Sequence, residues 1–453
     1  MDNKSSCRLK AKGISTVCGG LLLHISMGAL FFTFGNVSPY FTSYLRYRTS
    51  ETTLQHSDSM WVISCHEIAV HLTLVCSGVI ELKLGARMTS LLGGLVNSLG
   101  LLLTYFTVQH SLVAVSLTYG IMFGAGAGIA YSASVRQAME WYPENTAFVC
   151  GLVVAGIGVS AITFNEIEIM YTNPNNLGPN VTAGPNNDKY FGQDEILDRV
   201  PSLFIVVGVV CAVMTVIGVL LLFDPPKQDH TMGEKTFFQQ LTNTDDEIED
   251  ALLPKDRAEL HDDVHPLEMI KTKNFWLLWF IALVNGEVIM FLQSLYKAYG
   301  ETFIPDDRFL ALVGSISMVF ASVGRILWGI IADRLPIRTT LVLQHVIITA
   351  LLLTFTLSEK AGKWMFLTWL AGMMSTLSGT TANLLSATAI IFRMKYFATN
   401  YGLVCSSMIP GGIIGPILSQ NVSDYIGWSG IFSLVAGFSF SGIIFSFLID
   451  VKD

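Results

Sequence analysis

Apolar residues cluster in blocks of about twenty, the length a helix needs to cross roughly 30 Å of hydrocarbon. Such blocks predict helices near 15–45, 60–80, 88–108, 112–137, 147–171, 200–223, 267–297, 308–332, 338–358, 363–392, 398–420 and 426–450. Between the sixth and seventh, residues 224–266 carry Pro225-Pro226 and the acidic run Asp245-Asp246-Glu247-Glu249-Asp250, a stretch too polar for lipid. It reads as a linker. The pattern predicts an all-α membrane protein of twelve transmembrane helices in two six-helix bundles. A tail occupies 1–14, the first bundle 15–223, the linker 224–266 and the second bundle 267–450.

Composition agrees with this class. Of 453 residues 51% are hydrophobic and 14% charged, and the mean hydropathy is +0.53. The net charge of -8 is dispersed, which argues against a nucleic-acid partner. Cys18, Cys65, Cys76, Cys150, Cys211 and Cys405 fall in apolar segments and Cys7 in the tail, without a C-x-x-C or Cys/His ligand spacing. They read as small core hydrophobes. "HEIAVH" at 66–71 is not the zinc motif H-E-x-x-H, because its histidines lie five positions apart, about 140° around a helix. No bound metal or cofactor is expected.

Charge also predicts orientation. With the N-terminus in the cytoplasm, eighteen Lys/Arg residues fall in the tails and cytoplasmic loops and eight outside, which favours both termini inside. The basic tail (Lys4, Arg8, Lys10, Lys12) runs into a long apolar segment at 17–34 and reads as a retained first helix, not a cleaved signal. The sequon Asn180-Val181-Thr182 then lies outside. Residence in the plasma membrane or an internal membrane fits equally.

An internal repeat appears at an offset of 251 residues. "GVIELKLGAR" (78–87) maps onto "GIIADRLPIR" (329–338), pairing Gly78 with Gly329, Lys83 with Arg334 and Arg87 with Arg338; "CGLV" (150–153) pairs with "YGLV" (401–404), Gly128 with Gly379 and Gly35 with Gly286. Duplicated membrane halves with a binding site between them describe transporters.

The repeated loop resembles the signature loop of the major facilitator superfamily, and the second copy, with Gly329, Asp333, Arg334 and Arg338, fits best. Residues 124–161, with a glycine-rich helix, Trp141-Tyr142-Pro143 and Gly151, Gly156 and Gly158, are similar to the oxalate:formate antiporter and monocarboxylate porter families. The resemblance implies secondary active transport of small, monocarboxylate-like organic anions by alternating access, coupled to protons or by exchange. A neutral or cationic solute, or a transporter-like sensor that binds without flux, is the alternative. No catalytic constellation suggests an enzyme.

Charge placement gives the candidate site. Asp333 falls just past the end of the eighth predicted helix, where it can pair with an arginine or cap a neighbouring helix N-terminus and so latch one conformational state. In the first copy Leu82 takes that place and Glu81 falls one residue early, so the latch reads as asymmetric. Gly78, Lys83, Arg87, Gly329, Arg334 and Arg338 complete the candidate gate, and positive-inside topology alone also accounts for the basic ones. Arg325 lies eight residues before Asp333, about 12 Å deeper, where a charge must face a cavity or partner. The resemblance implies that it meets the substrate carboxylate; an ion pair to Glu287 or Glu67 is the structural alternative. Asn36, Tyr40 and Tyr131 are the expected pocket lining, and Glu67, Glu287 and His71 the candidates for carrying a proton, Glu67 and His71 sharing a face at i, i+4. His24 and His345 read as structural polar groups between helices.

The chain departs from the resemblance in three places. Asn36 and Ala321 stand where the monocarboxylate porters carry a lysine and an acid, and 398–420 lacks the lysine of the oxalate transporter. One fixed cation favours a monoanion over a dianion.

Overall fold

The structure, a computed structural model, describes residues 3–30, 33–49, 51–183, 188–225, 263–304 and 307–450. Most of the linker placed at 224–266 lies outside them. Two bundles of six crossings pack side by side. The first contains α1 in two pieces (Asn3–Met27 and Phe34–Arg48), α2 (Met60–Leu84), α3 (Ala86–Thr107), α4 (Leu112–Trp141), α5 (Thr146–Thr172) and α6 (Val200–Leu221). The second contains α7 (Lys273–Glu301), α8 (Asp307–Ala332), α9 (Ile337–Thr354), α10 (Lys363–Phe392), α11 (Phe397–Cys405, continuing over 408–426) and α12 (Gly427–Phe447).

Among the described residues nine helices are long and apolar enough to cross a membrane. Their outer faces show the solvent they expect. On α3 the exposed residues include Leu92, Leu95, Leu99, Leu103 and Phe106, a stripe at helical spacing that suits hydrocarbon. Inward faces are small: a Cβ on Gly93 would stand 2.6 Å from the Ala130 amide nitrogen, so α3 and α4 approach backbone to backbone.

Turn chemistry fixes the connections. Gly85 at φ 77° joins α2 to α3 and Gly362 at φ 91° precedes α10, conformations that glycine adopts freely. Thr272 starts α7 by accepting the Phe275 amide at 3.2 Å. This cap is why α7 begins at 273 and not at the predicted 267; residues 266–269 form a separate turn.

Two predicted helices differ more. The first is broken between Met27 and Phe34, and its first piece extends back to Asn3. The gap predicted between the last two crossings is absent: α11 runs into α12 at Gly427, where φ is 61°.

The loops define two ends. At one end Thr16 Oγ1 donates to the Phe223 carbonyl at 3.3 Å and Asn274 Nδ2 to the Asp450 carbonyl at 2.7 Å, so both terminal regions share this termini face. At the other, β1 (Val181–Ala183) and β2 (Asp188–Tyr190) form an antiparallel hairpin, which marks the hairpin face.

Candidate functional site

The bundles meet along α2 with α11 and along α5 with α8, and the 251-residue offset is visible in the contacts. A Cβ on Gly151 would strike the Arg325 carbonyl, and one on Gly402 would stand 2.5 Å from the Leu74 carbonyl. Both members of each contact are offset mates. Likewise Gly329 packs on Ala147 and Phe148, and Gly78 on Thr399, the mate of Phe148. Helices α5 and α11 begin at offset mates too, Thr146 and Phe397. The two interfaces are related by a pseudo-twofold axis, and residues at mated positions share a depth.

At the depth of Leu74 the second half presents Arg325. The residue is 6% exposed, and its Nε and Nη1 find no hydrogen-bond acceptor among the described residues. Neither Glu67 nor Glu287 pairs with it: no ion pair involving Arg325 occurs among the described residues. Gly158 makes room for the side chain, since a Cβ there would lie 3.1 Å from Nη1 and would overlap Ser322 Oγ.

Tyr131 of α4 and Tyr401 of α11 face the guanidinium. Their rings stack at 6.1 Å and 10°, and His24 of α1 meets Tyr131 edge-on at 4.9 Å. The offset mates of the tyrosine pair are Ala382 and Cys150, which also touch, with Cys150 Sγ donating to the Ala382 carbonyl at 3.4 Å. One side of the axis is therefore filled by two rings and the other by two small residues. His24 Nδ1 must carry its proton to donate to the Gly20 carbonyl at 2.9 Å, leaving Nε2 as a buried acceptor without a partner.

The other expected site residues lie elsewhere. Tyr40 is buried in the first bundle against Phe191, ring centroids 4.8 Å apart, because the loop carrying the hairpin folds over it. Asn36 is exposed and donates through Nδ2 to Asn165 Oδ1 at 2.7 Å. Twelve residues beyond His24, it lies past the break in α1. The structure does not bring either residue to Arg325; the break in α1 lies between.

Glu67 forms its own cluster. His66 Nδ1 lies 3.1 Å from Glu67 Oε1, while His71 Nδ1 bonds the Glu67 carbonyl at 2.8 Å and lies 3.8 Å from Oε2. Glu287 of α7 is 4% exposed, and neither of its carboxyl oxygens has a hydrogen-bond partner among the described residues. His345 is buried on α9, with Nδ1 on the Leu341 carbonyl.

On the termini face Asp333 reaches across the interface to the first turn of α5. Its two oxygens accept the Ala147 and Phe148 amides at 2.9 and 2.8 Å. The helix has no side-chain cap of its own, since Asn145 makes no such bond, so the carboxylate from the other half satisfies amides at its N-terminus. Leu82, the mate of Asp333, is exposed and caps nothing. Glu81 turns inward to Arg136, 3.2 Å away, and Arg136 also bonds Glu140 at 2.8 Å. The Arg136 guanidinium compensates the buried Glu81 charge without forming a hydrogen bond to it. Arg338 lies over the Phe447 ring at 4.6 Å, and Lys83, Arg87 and Arg334 are exposed.

Sequence reasoning missed Tyr401, Ser322, Arg136 and the bare His24 nitrogen. Tyr401 was within reach, because "YGLV" was already aligned with "CGLV" and the change from cysteine to tyrosine signals an asymmetric site.

Comparison with known proteins agrees with this architecture. A family model described as the Major Facilitator Superfamily matches residues 21–404. Apicoplast pyruvate carrier 1 of Toxoplasma gondii is 25% identical over 476 residues, covering 94% of this chain and 87% of the relative. The oxalate:formate antiporter of Oxalobacter formigenes is 23% identical over 360 residues, covering 79% and 74%. Among solved structures, a fucose:proton symporter of E. coli gives a TM-score of 0.65 at 14% identity, covering 96% of this chain and 98% of its own, a likeness of fold. With most of its length matched by the family model and two six-helix bundles related by an internal repeat, the chain belongs to the Major Facilitator Superfamily.

Proposed function

We propose that the protein is a secondary active transporter of small monocarboxylates, alternating access between its two bundles about Arg325. The observation that carries this reading is a buried guanidinium with unsatisfied donors and no carboxylate of its own. Leaving a charge in that condition costs several kcal/mol, roughly 3–5 for a buried pair broken on one side. A substrate carboxylate accepting from Nε and an Nη atom removes the deficit, and the planar fork suits it better than an ammonium would. Tyr131 and Tyr401 then flank the anion, while Gly158 lets the Arg325 side chain pack close to its helix. That one relative is named a pyruvate carrier and another an oxalate:formate antiporter supports the substrate class.

Asp333, with Gly329 and Gly78 permitting close approach, forms the gate on the termini face, and Lys83, Arg87, Arg334 and Arg338 serve it and the orientation. We assign that face to the cytoplasm from the Lys/Arg distribution, with support from the exposed Asn180 beside the hairpin at the opposite end. Asn36 and Tyr40 belong in this reading to the outer vestibule. Glu67 with His71, and Glu287, are groups able to carry a proton with the anion.

Uptake of radiolabelled pyruvate, lactate, formate and oxalate into proteoliposomes tests the reading. Pyruvate or lactate flux is expected, reduced in Arg325→Lys and lost in Arg325→Gln. Absence of monocarboxylate flux, or full transport of another solute by Arg325→Ala, overturns it.

A further inference from the structure

Glu168 of α5 is 1% exposed, and its Oε2 has no hydrogen-bond partner among the described residues. Its Oε1 lies 2.9 Å from Thr33 Oγ1, at the point where α1 is broken. Thr33 Oγ1 also donates to the Ala29 carbonyl at 2.7 Å, one turn earlier in the chain. A hydroxyl has one proton and a carbonyl can only accept. The Thr33 hydroxyl donates to Oε1 but shares its one proton with the Ala29 carbonyl, so a carboxylate here would hold a part-share of one neutral donor and a bare Oε2, a condition that burial makes costly and that protonation of the carboxyl group relieves.

The surroundings favour the neutral acid. Thr33 faces it from α1, Tyr119 from α4 and Cys211 from α6. Tyr119 sits within a π-helical turn, Ser116–Met122, the kind of local widening found where a helix accommodates a functional group. Arg199 is exposed and donates through Nη1 to the Tyr171 carbonyl, one turn beyond Glu168. Glu67, by contrast, has imidazole nitrogens beside its carboxyl group. One turn before Glu168, Asn165 is bonded to Asn36, which is exposed.

We propose that Glu168 is a proton-binding site built into the break of α1, loaded while Thr33 is docked against it and discharged to water when the two pieces of α1 shift. The proton leaves the carboxyl group, the Thr33 contact breaks, and water entering past the Asn36–Asn165 pair accepts it and solvates the carboxylate. Glu168 stands ten residues from Gly158, ~15 Å of helix from the level of Arg325, so the proton and the anion occupy separate sites joined by α1 and α5. The proposal rests on the transport reading for its purpose, but protonation of Glu168 does not.

Two measurements test it on the full chain. In infrared difference spectra taken across a pH titration, the carbonyl band of a protonated carboxylic acid is expected in the native protein and is expected to lose intensity in Glu168→Gln. Equal intensity in both overturns the proposal whatever the protein transports. In liposomes containing a pH-sensitive dye, native protein is expected to carry protons inward with pyruvate. Glu168→Gln is expected to retain pyruvate–pyruvate exchange while its proton influx falls to the level of protein-free liposomes. Retained proton influx in Glu168→Gln, or pyruvate flux by native protein without protons, overturns it; failure of native protein to move any monocarboxylate sinks the transport reading instead. Thr33→Val keeps the carboxyl group and guards against misfolding of the first variant: the acid band is expected to move and to titrate at a different pH, and an unchanged band and titration overturns the role given to Thr33.

Discussion

Asp333→Asn puts the proposed latch to a quantitative test. The carboxylate accepts two amides from α5 across the interface, at 2.9 and 2.8 Å. A hydrogen bond to a charged group nets about 1.5–3 kcal/mol, and a negative charge at a helix N-terminus adds about 0.3–1 kcal/mol. Asparagine keeps one neutral acceptor and presents an amide NH2 to the second N–H, so about 2–4 kcal/mol is lost. Asp333 is only partly buried, and screening there points to the lower end, ~2 kcal/mol, or roughly a 30-fold shift in population away from the closed termini face. Spin labels at the exposed positions 83 and 334, in a background with the seven cysteines replaced, report the separation of the halves. The substitution is expected to populate a longer distance. Leu82→Asp, by supplying the missing acid at the mated position over the first turn of α11, is expected to restore part of the short-distance population in the double variant. An unchanged distance distribution in Asp333→Asn refutes the latch, and the carboxylate would then be a static cap.

Gly158→Ala places a Cβ 3.1 Å from Arg325 Nη1 and onto Ser322. Overpacking of this kind costs about 1–3 kcal/mol, and KM for the transported monocarboxylate is expected to rise while the protein remains folded in detergent; an unchanged KM separates Gly158 from the site. Arg136→Met leaves Glu81, 3% exposed, without its cation. A loss of about 3 kcal/mol is expected, read as a lowered melting temperature that Glu81→Gln in the same chain largely restores. If the second change restores nothing, the Arg136–Glu81 contact contributes no stability.

The layout of the crossings was legible because hydrocarbon imposes a length on every apolar block, and the repeat was legible because several small residues keep one spacing. Gly78 and Gly329, aligned from sequence, prove to hold the same kind of contact on opposite interfaces. Breaks within a crossing were not legible. Nothing in 28–33 other than Gly28 signals an interruption, since the Ala29 carbonyl is met by Thr33, whose other partner is a carboxyl group on a helix more than a hundred residues away. The site was half legible. Arg325 announces itself as a charge in an apolar run, but whether it has a partner depends on distances that spacing does not give. Tyr40 looked like pocket lining because helix periodicity reports a face without reporting that a later loop covers it. Glu168 went unremarked beside Glu166, the two looking alike in sequence, though one is buried and the other exposed.

The repeat also bears on why the site carries one charge. Leu74 is the mate of Arg325, and a second arginine there would make the site symmetric and suited to a dianion. Its side chain would need the space that Arg325 takes beside Gly158. The mate of Gly158, however, is Ile409, and the mate of Ser322 is His71, which is engaged with Glu67. The mates of the small pair Cys150 and Ala382 are the stacked rings of Tyr401 and Tyr131. Four positions on the α2–α11 side thus carry larger side chains than their mates on the α5–α8 side, and each would have to shrink before a second guanidinium could pack there. The single cation follows from how the two halves have diverged in volume, and under the transport reading proposed above a monoanion is the ligand that would leave no charge uncompensated on either side of the axis.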